Sequence, residues 1–182
     1  MVMGTLQQEA ELAIVGGGPG GYVAALRAAD LGRDVLLIDE RPRLGGTCLL
    51  EGCIPSKTLI HAVGVLDAAR EAQHIGITFD KPRLDLDALR QHVGRVVGGL
   101  SKGIDGLLAR RNVQVLHGKA HFTGSHSLLV EGEHQATVQF RHAIVAVGSR
   151  PTRLAAAGEL PVWTSTDALG LPEIPPRLLV VG

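Results

Sequence analysis

Cys48 and Cys53 are the two cysteines of the chain, and they stand in Gly45-Gly46-Thr47-Cys48-Leu49-Leu50-Glu51-Gly52-Cys53-Ile54-Pro55-Ser56-Lys57. One turn of helix brings residues at this spacing onto roughly the same face, so a disulfide between them is geometrically feasible. They lie just before a predicted helix, whose start favours the reactive thiolate form. Lys57, one turn on, adds positive charge suited to the edge of an electron-accepting ring. Three chemistries use such a pair. A structural disulfide closing so small a loop would contribute little through chain entropy. A metal centre needs two further ligands. His117, His121 and His126 lie fairly close in sequence but lack ligand spacing and read as solvated loop residues, so no metal is expected. The third chemistry is thiol–disulfide exchange.

A second group of residues bears on the choice. Gly16, Gly18 and Gly21 form G-x-G-x-x-G within Gly16-Gly17-Gly18-Pro19-Gly20-Gly21. The first glycine permits a tight turn out of a strand, the second lets backbone approach a pyrophosphate, and the third lets a helix pack close on a sheet. Amide groups at the helix start then hold the anion. The motif alone is weak. Here it follows the apolar run Leu12–Val15 and opens the Ala- and Leu-rich stretch Tyr22–Leu31, and Asp39 closes the next apolar run, Val35–Ile38. Asp39 is placed to accept hydrogen bonds from ribose hydroxyls, with its neighbour Glu40 a rival for that role. A redox cysteine pair beside a nucleotide cofactor is the reading that the combined pattern favours.

The elements that position these residues follow from periodicity. Leu12–Val15, a helix ending near Gly32, and Val35–Ile38 make a βαβ unit with parallel strands. Ser56 to about His74 reads as helix, with Pro55 in its first turn. From Asp85 to Arg110, Leu86, Leu89, Val93, Val96, Val97, Leu100, Ile104, Leu107 and Leu108 form one apolar stripe on a long helix. Val113–Leu116, Ser127–Val130 and Ala136–Phe140 read as the short strands of a small antiparallel meander. Ala143–Val147 reads as a further buried strand ending at Gly148. Residues 151–176 are proline-rich and aperiodic, a connecting segment. Leu178–Gly182 looks like the first strand of a second nucleotide-binding unit. The expected fold is therefore α/β: a Rossmann-like parallel sheet over residues 1–150 with a small antiparallel meander, then a linker over 151–176, then the start of a second Rossmann unit over 177–182.

Bulk properties exclude some partners. Acidic and basic residues balance at 18 each and aromatics are 3% of the 182 residues, so neither a phosphate-neutralising surface nor a base-stacking one is expected. Residues 1–12 show no signal-peptide pattern, and no run of about 18 uninterrupted apolar residues suggests a membrane span. With working cysteines, a cytoplasmic location is expected.

At the cysteine stretch and the glycine loop the chain resembles the FAD-carrying pyridine nucleotide-disulfide oxidoreductases, over essentially its whole length. Gly52-Cys53-Ile54-Pro55-Ser56-Lys57 and Gly18-Pro19-Gly20-Gly21-Tyr22-Val23-Ala24-Ala25 look most like the lipoamide dehydrogenases of that family. The resemblance implies FAD held by Gly16, Gly18, Pro19, Gly20, Gly21, Asp39 or Glu40, Gly46, Thr47, Cys48 and Lys57. Gly118 or Ala120 would lie at the adenine and Val147-Gly148-Ser149 near the flavin. It implies that Cys48 exchanges with a dithiol substrate, that Cys53 is the charge-transfer thiolate against the flavin, and that Lys57 approaches flavin N5. The implied reaction oxidises dihydrolipoyl groups with NAD+. The partners would be a lipoyl-bearing protein of a 2-oxoacid dehydrogenase or glycine cleavage complex and a second copy of the chain. In such enzymes an NAD domain, a return segment and a dimerisation domain follow, and a His-Glu pair comes from the other subunit. Residues 1–182 by themselves are thus expected not to turn over. Three positions depart from the pattern: Leu50-Glu51 stands for Asn-Val, Val147 for Thr, and Asp39 for the more frequent Glu. A carboxylate beside the cysteines disfavours a thiolate, which leaves a related disulfide reductase acting on mercuric ion or another small substrate, or a transhydrogenase, as the alternative enzyme. A nucleotide-binding fragment without catalysis is the alternative outside enzymology.

Overall fold

The computed structural model describes residues 6–152 and 160–181. The chain divides into two compact units, one from Met1–Cys48 with Gly99–Arg150 and one from Leu49–Gly98 with Pro151–Gly182.

The first unit is built on a six-stranded sheet. Its strands are β1 (Leu6–Val15), β2 (Val35–Asp39), β3 (Gln114–His117), β4 (Lys119–Gly124), β5 (Ser127–Glu131) and β6 (Ala136–Val145), in the order β3-β2-β1-β6-β5-β4. β1 pairs in parallel with β2 and β6, and β2 pairs in parallel with β3. Val35–Ile38 are all buried, as an unbroken apolar run predicts for a strand covered on both faces. Helix α1 (Pro19–Asp30) crosses between β1 and β2, with Pro19 in its first turn and Gly21 and Ala25 buried. Ile14 approaches within 3.5 Å of where a Cβ on Gly21 would stand, so small residues on α1 set the helix close to the strand. On alternate positions Ala13, Leu36 and Ile38 join Leu128, Val130, Ala136, Val138 and Phe140 in the core, with Val15 and Leu116 packed against it. Each of the larger side chains among them contributes about 1.5–3 kcal/mol by leaving water.

The meander consists of β4, β5 and the first half of β6, with β4–β5 and β5–β6 antiparallel. Three expectations change here. The strand after Asn112 lies at the parallel edge beside β2 and is outside the meander. Ala136–Phe140 and the run from Ala143 are one strand, β6, which pairs with β1 along its length (Leu6 with Ala136, Val15 with Val145) and with β5 only in its first half. That run is also not buried, since Ile144 is 38% and Val145 60% exposed. Periodicity reads burial and misses this, because one continuous backbone can hold two kinds of neighbour. β4 itself escaped the sequence reading because its residues alternate weakly between Lys119 and Gly124.

The second unit contains α3 (Cys53–Glu71), a 3₁₀ turn (Ala72–Ile75), the first turns of α4 (Leu86–Ala109) and α5 (Ser165–Leu169). The short α2 (Gly46–Glu51) precedes α3. Within this unit Arg90 donates to the carbonyls of Leu171 (2.7 Å) and Pro172 (3.2 Å), which ties the proline-rich segment to α4. That segment is not wholly a linker. α5 is started by a capping box in which Asp167 N–H donates to the Thr164 hydroxyl and Thr164 N–H donates to Asp167. Leu178–Val181 form no strand and are 63–86% exposed. A strand needs a neighbour for its amide groups, and these residues pair with no strand in the described structure. Gly182 lies outside the described residues. The helical stretch Gly46–Ile75 meets a length and hydropathy criterion for a membrane span. It is broken at Gly52 and carries both cysteines, Lys57 and His61.

Candidate redox and nucleotide site

The glycine loop runs from the end of β1 into α1. Gly16 has φ +106°, and a Cβ on it would stand 2.2 Å from the Ala146 carbonyl oxygen. Its N–H donates to the Ile38 carbonyl at 2.7 Å, and Ala146 N–H donates to Val15 at 2.7 Å. The loop is thus pinned between β2 and the end of β6, and Val147-Gly148-Ser149 follow directly beside it, exposed. Gly21 and Tyr22 N–H both donate to the Gly18 carbonyl at 2.9 Å. Gly18, the N-cap, offers no side chain to the helix start and has extended backbone (φ −75°, ψ −175°). Pro19 and Gly20 are exposed at the first turn. This is the arrangement in which a helix start can receive an anion.

Asp39 ends β2, half-buried, whereas Glu40 is exposed. One Asp39 carboxylate oxygen accepts from Gly17 N–H and the other from Arg41 N–H at 2.8 Å. Asp39 therefore holds the glycine loop in place, and each oxygen keeps a further acceptor site for a hydroxyl. Its carbonyl accepts from Gly118 N–H at 2.9 Å. Gly118 is buried, and a Cβ there would stand 2.7 Å from the Glu131 carbonyl oxygen. Ala120 packs against the core cluster. Of those two, Gly118 lies beside Asp39.

The redox segment starts on this loop. Gly45 N–H donates to the Gly17 carbonyl at 2.9 Å. Gly46 has φ +62°, and a Cβ on it would stand 2.6 Å from Gly18 Cα, so two backbones touch where no side chain fits. Gly46 opens α2, where Thr47 is exposed and Cys48 half-buried. Cys53 is the first residue of α3, after the N-cap Gly52 (φ −134°, ψ −99°). Helix therefore starts three residues before Ser56, and the cysteines sit on two helices separated by a break and not on one turn. Both are disulfide-bonded. Lys57 is exposed one turn into α3. Among the described residues no three of His, Cys, Asp and Glu cluster as metal ligands.

Gly17, Arg41, Leu44 and Gly45 were missed as site residues because they act through backbone groups or packing. The doubled glycine Gly45-Gly46 was the readable signal.

The sequence matches the profile of the pyridine nucleotide-disulphide oxidoreductases over residues 10–182. The chain belongs to that family. It is 45% identical over 177 residues to the dihydrolipoyl dehydrogenase of Vibrio parahaemolyticus, covering 96% of this chain and 37% of that protein. It is 42% identical over 190 residues to the dihydrolipoyl dehydrogenase of Bacillus subtilis, covering 100% of this chain and 39% of that one. Among solved structures, the Cu(II) complex of a cysteine-to-serine mutant of an HOCl-induced flavoprotein disulfide reductase from Escherichia coli superposes with a TM-score of 0.71. There the identity is 27%, with 89% of this chain and 34% of the other covered. The chain thus spans little more than a third of the length of the relatives it matches. The resemblance seen at the cysteines and the glycine loop agrees with this family, and so does the α/β architecture.

Proposed function

We propose that the chain supplies the FAD-binding and dithiol-exchange parts of a dihydrolipoyl dehydrogenase. The supporting observation is the docking of Gly45-Gly46 on Gly17-Gly18, which joins the start of the cysteine segment to a dinucleotide-binding loop. In this reading Gly18, Gly20 and the start of α1 hold the pyrophosphate, and the remaining acceptor sites of Asp39 take ribose hydroxyls. The loop fits that group, since a Cβ on Gly18 would meet only Gly46 Cα at 3.6 Å, which leaves open space for a phosphate oxygen.

A dihydrolipoyl thiolate attacks Cys48 Sγ, and the Cys48–Cys53 bond breaks. This gives a substrate–Cys48 mixed disulfide and a Cys53 thiolate. The second substrate thiol, after losing its proton, attacks the substrate sulfur of that bond and displaces Cys48 as thiolate. The substrate leaves as a cyclic disulfide, and its electron pair is held by the two cysteines. The start of α3 stabilises the Cys53 thiolate through the aligned helix amides. FAD, when bound, carries that electron pair onward to NAD+. Lipoyl-bearing partner proteins, a homodimer and a cytoplasmic location belong to the same proposal.

The test is an anaerobic addition of dihydrolipoamide to the full-length protein while its visible spectrum is followed. Bleaching of a bound flavin with a new long-wavelength thiolate–flavin band is the expected result. A flavin that does not respond to the dithiol would overturn the lipoyl assignment. Glu51 would then be the first residue to change.

A further inference from the structure

Ser101 is the one buried polar side chain among the described residues, at 2% exposure. It stands on α4 in the line Val97, Ser101, Ile104, Leu108, whose other three members are buried apolar residues. A serine inside a helix commonly turns its hydroxyl to a carbonyl of its own preceding turn. Here the hydroxyl donates at 2.9 Å to the carbonyl of Leu44, 57 residues away in sequence.

Leu44 is the residue from which the redox segment departs. It is 1% exposed, and its Cδ2 would stand 2.5 Å from a Cβ on Gly17. The next residue, Gly45, donates to the Gly17 carbonyl, and Gly46 rests on Gly18 and opens the helix that carries Cys48. A single path of contacts therefore runs from Ser101 through the Leu44 carbonyl to the backbone that fixes both the glycine loop and the first cysteine. We infer that Ser101 is a positioning residue for the redox site, setting where Cys48 begins relative to the phosphate-binding loop. The inference rests on the redox reading of the cysteine pair. Losing the hydroxyl leaves a buried carbonyl without its donor and frees the Leu44–Gly46 backbone to shift, while the rest of α4 keeps its packing.

The test compares Ser101→Ala, the near-isosteric pair Ser101→Thr and Ser101→Val, and Leu108→Ala as a packing control on the same helix. The full-length protein is reduced, and the rate of Cys48 alkylation by iodoacetamide is measured by peptide mass spectrometry, alongside FAD affinity and thermal unfolding. Ser101→Ala and Ser101→Val should change the Cys48 rate and weaken FAD binding, each by about fivefold or more, the scale of one buried hydrogen bond. Ser101→Thr should stay within about twofold of the parent, and Leu108→Ala should lower thermal stability while leaving both readouts in place. Equal behaviour of the threonine and valine variants would overturn the proposal, as would losses that follow thermal stability alone in all variants. If Ser101→Ala does not fold, the threonine–valine pair decides. Alkylation needs no lipoyl substrate, so a failure here is distinct from a flavin that ignores dihydrolipoamide.

Discussion

Replacing Gly18 by alanine separates a glycine kept for a ligand from one kept for the fold. The Gly18 backbone is extended, a conformation open to any residue, and the added methyl would meet only Gly46 Cα at an ordinary 3.6 Å. In the protein without cofactor, the substitution should cost nothing. By restricting the unfolded chain it should stabilise by about 0.4–1 kcal/mol, raising the melting temperature by roughly 1–4 °C. With FAD the sign reverses. The methyl occupies the approach of the pyrophosphate, and an inserted methyl in a packed site costs about 1–3 kcal/mol. That converts to a roughly 5- to 150-fold weaker dissociation constant. Gly21 is the opposite case. Its Cβ would stand 1.7 Å from the Gly16 carbonyl oxygen, about 1.3 Å inside the nearest approach Cβ atoms make. Gly21→Ala must push α1 off β1 and should destabilise by about 3 kcal/mol or more with or without FAD. The assays are thermal unfolding of the apoprotein and calorimetric titration with FAD. A Gly18→Ala protein that binds FAD as tightly as the parent would refute the assignment of this loop to the pyrophosphate. One that unfolds without cofactor would refute the packing argument.

Three further outcomes follow from the structure. Cys53→Ser should abolish reduction of bound flavin by dihydrolipoamide in stopped-flow absorbance; retention of the parental rate would make the disulfide structural. Asp39→Ala removes the acceptor for Gly17 and Arg41 N–H, so denaturant unfolding of the apoprotein should show a loss of about 1.5–3 kcal/mol, and Asp39→Asn, which keeps one acceptor, should lose less. The Thr164 hydroxyl, and then its N–H, hold the Asp167 carboxyl below the ordinary 3.8. Capping of α5 should therefore be complete above that value and fade as pH falls through the lowered one. An acid titration followed by the Thr164 amide resonance checks this, and a resonance that moves only above pH 4 would contradict it.

Much of the site was legible because its demands are local. Gly16 and Gly21 answer to backbone geometry, the first through its positive φ and the second through close approach, and each is readable one residue at a time. Asp39 was read as a ribose acceptor, yet its carboxylate also grips Gly17, a contact between residues 22 apart that no motif encodes. Ser101 interrupts an apolar stripe, a visible signal, but its partner Leu44 is known only once α4 is laid beside the redox segment. The cysteine spacing suggested one helical turn. The break at Gly52 shows that CxxxxC spacing is met as well by two successive helices. α5 went unread because prolines on either side hid a Thr164-x-x-Asp167 cap.

The pairing of β1 with β6 carries a consequence for how the chain is made. Every rung of that ladder joins residues about 130 positions apart, from Leu6 with Ala136 to Val15 with Val145. On a ribosome working at ~5–20 residues per second, β1 emerges roughly 7–26 s before the strand that completes the sheet between it and the meander. Through that interval one edge of β1 waits with open amide groups and apolar neighbours, the state in which strands pair with the wrong chain. The nascent chain is thus exposed to aggregation, and served by a chaperone, until β6 has closed that edge.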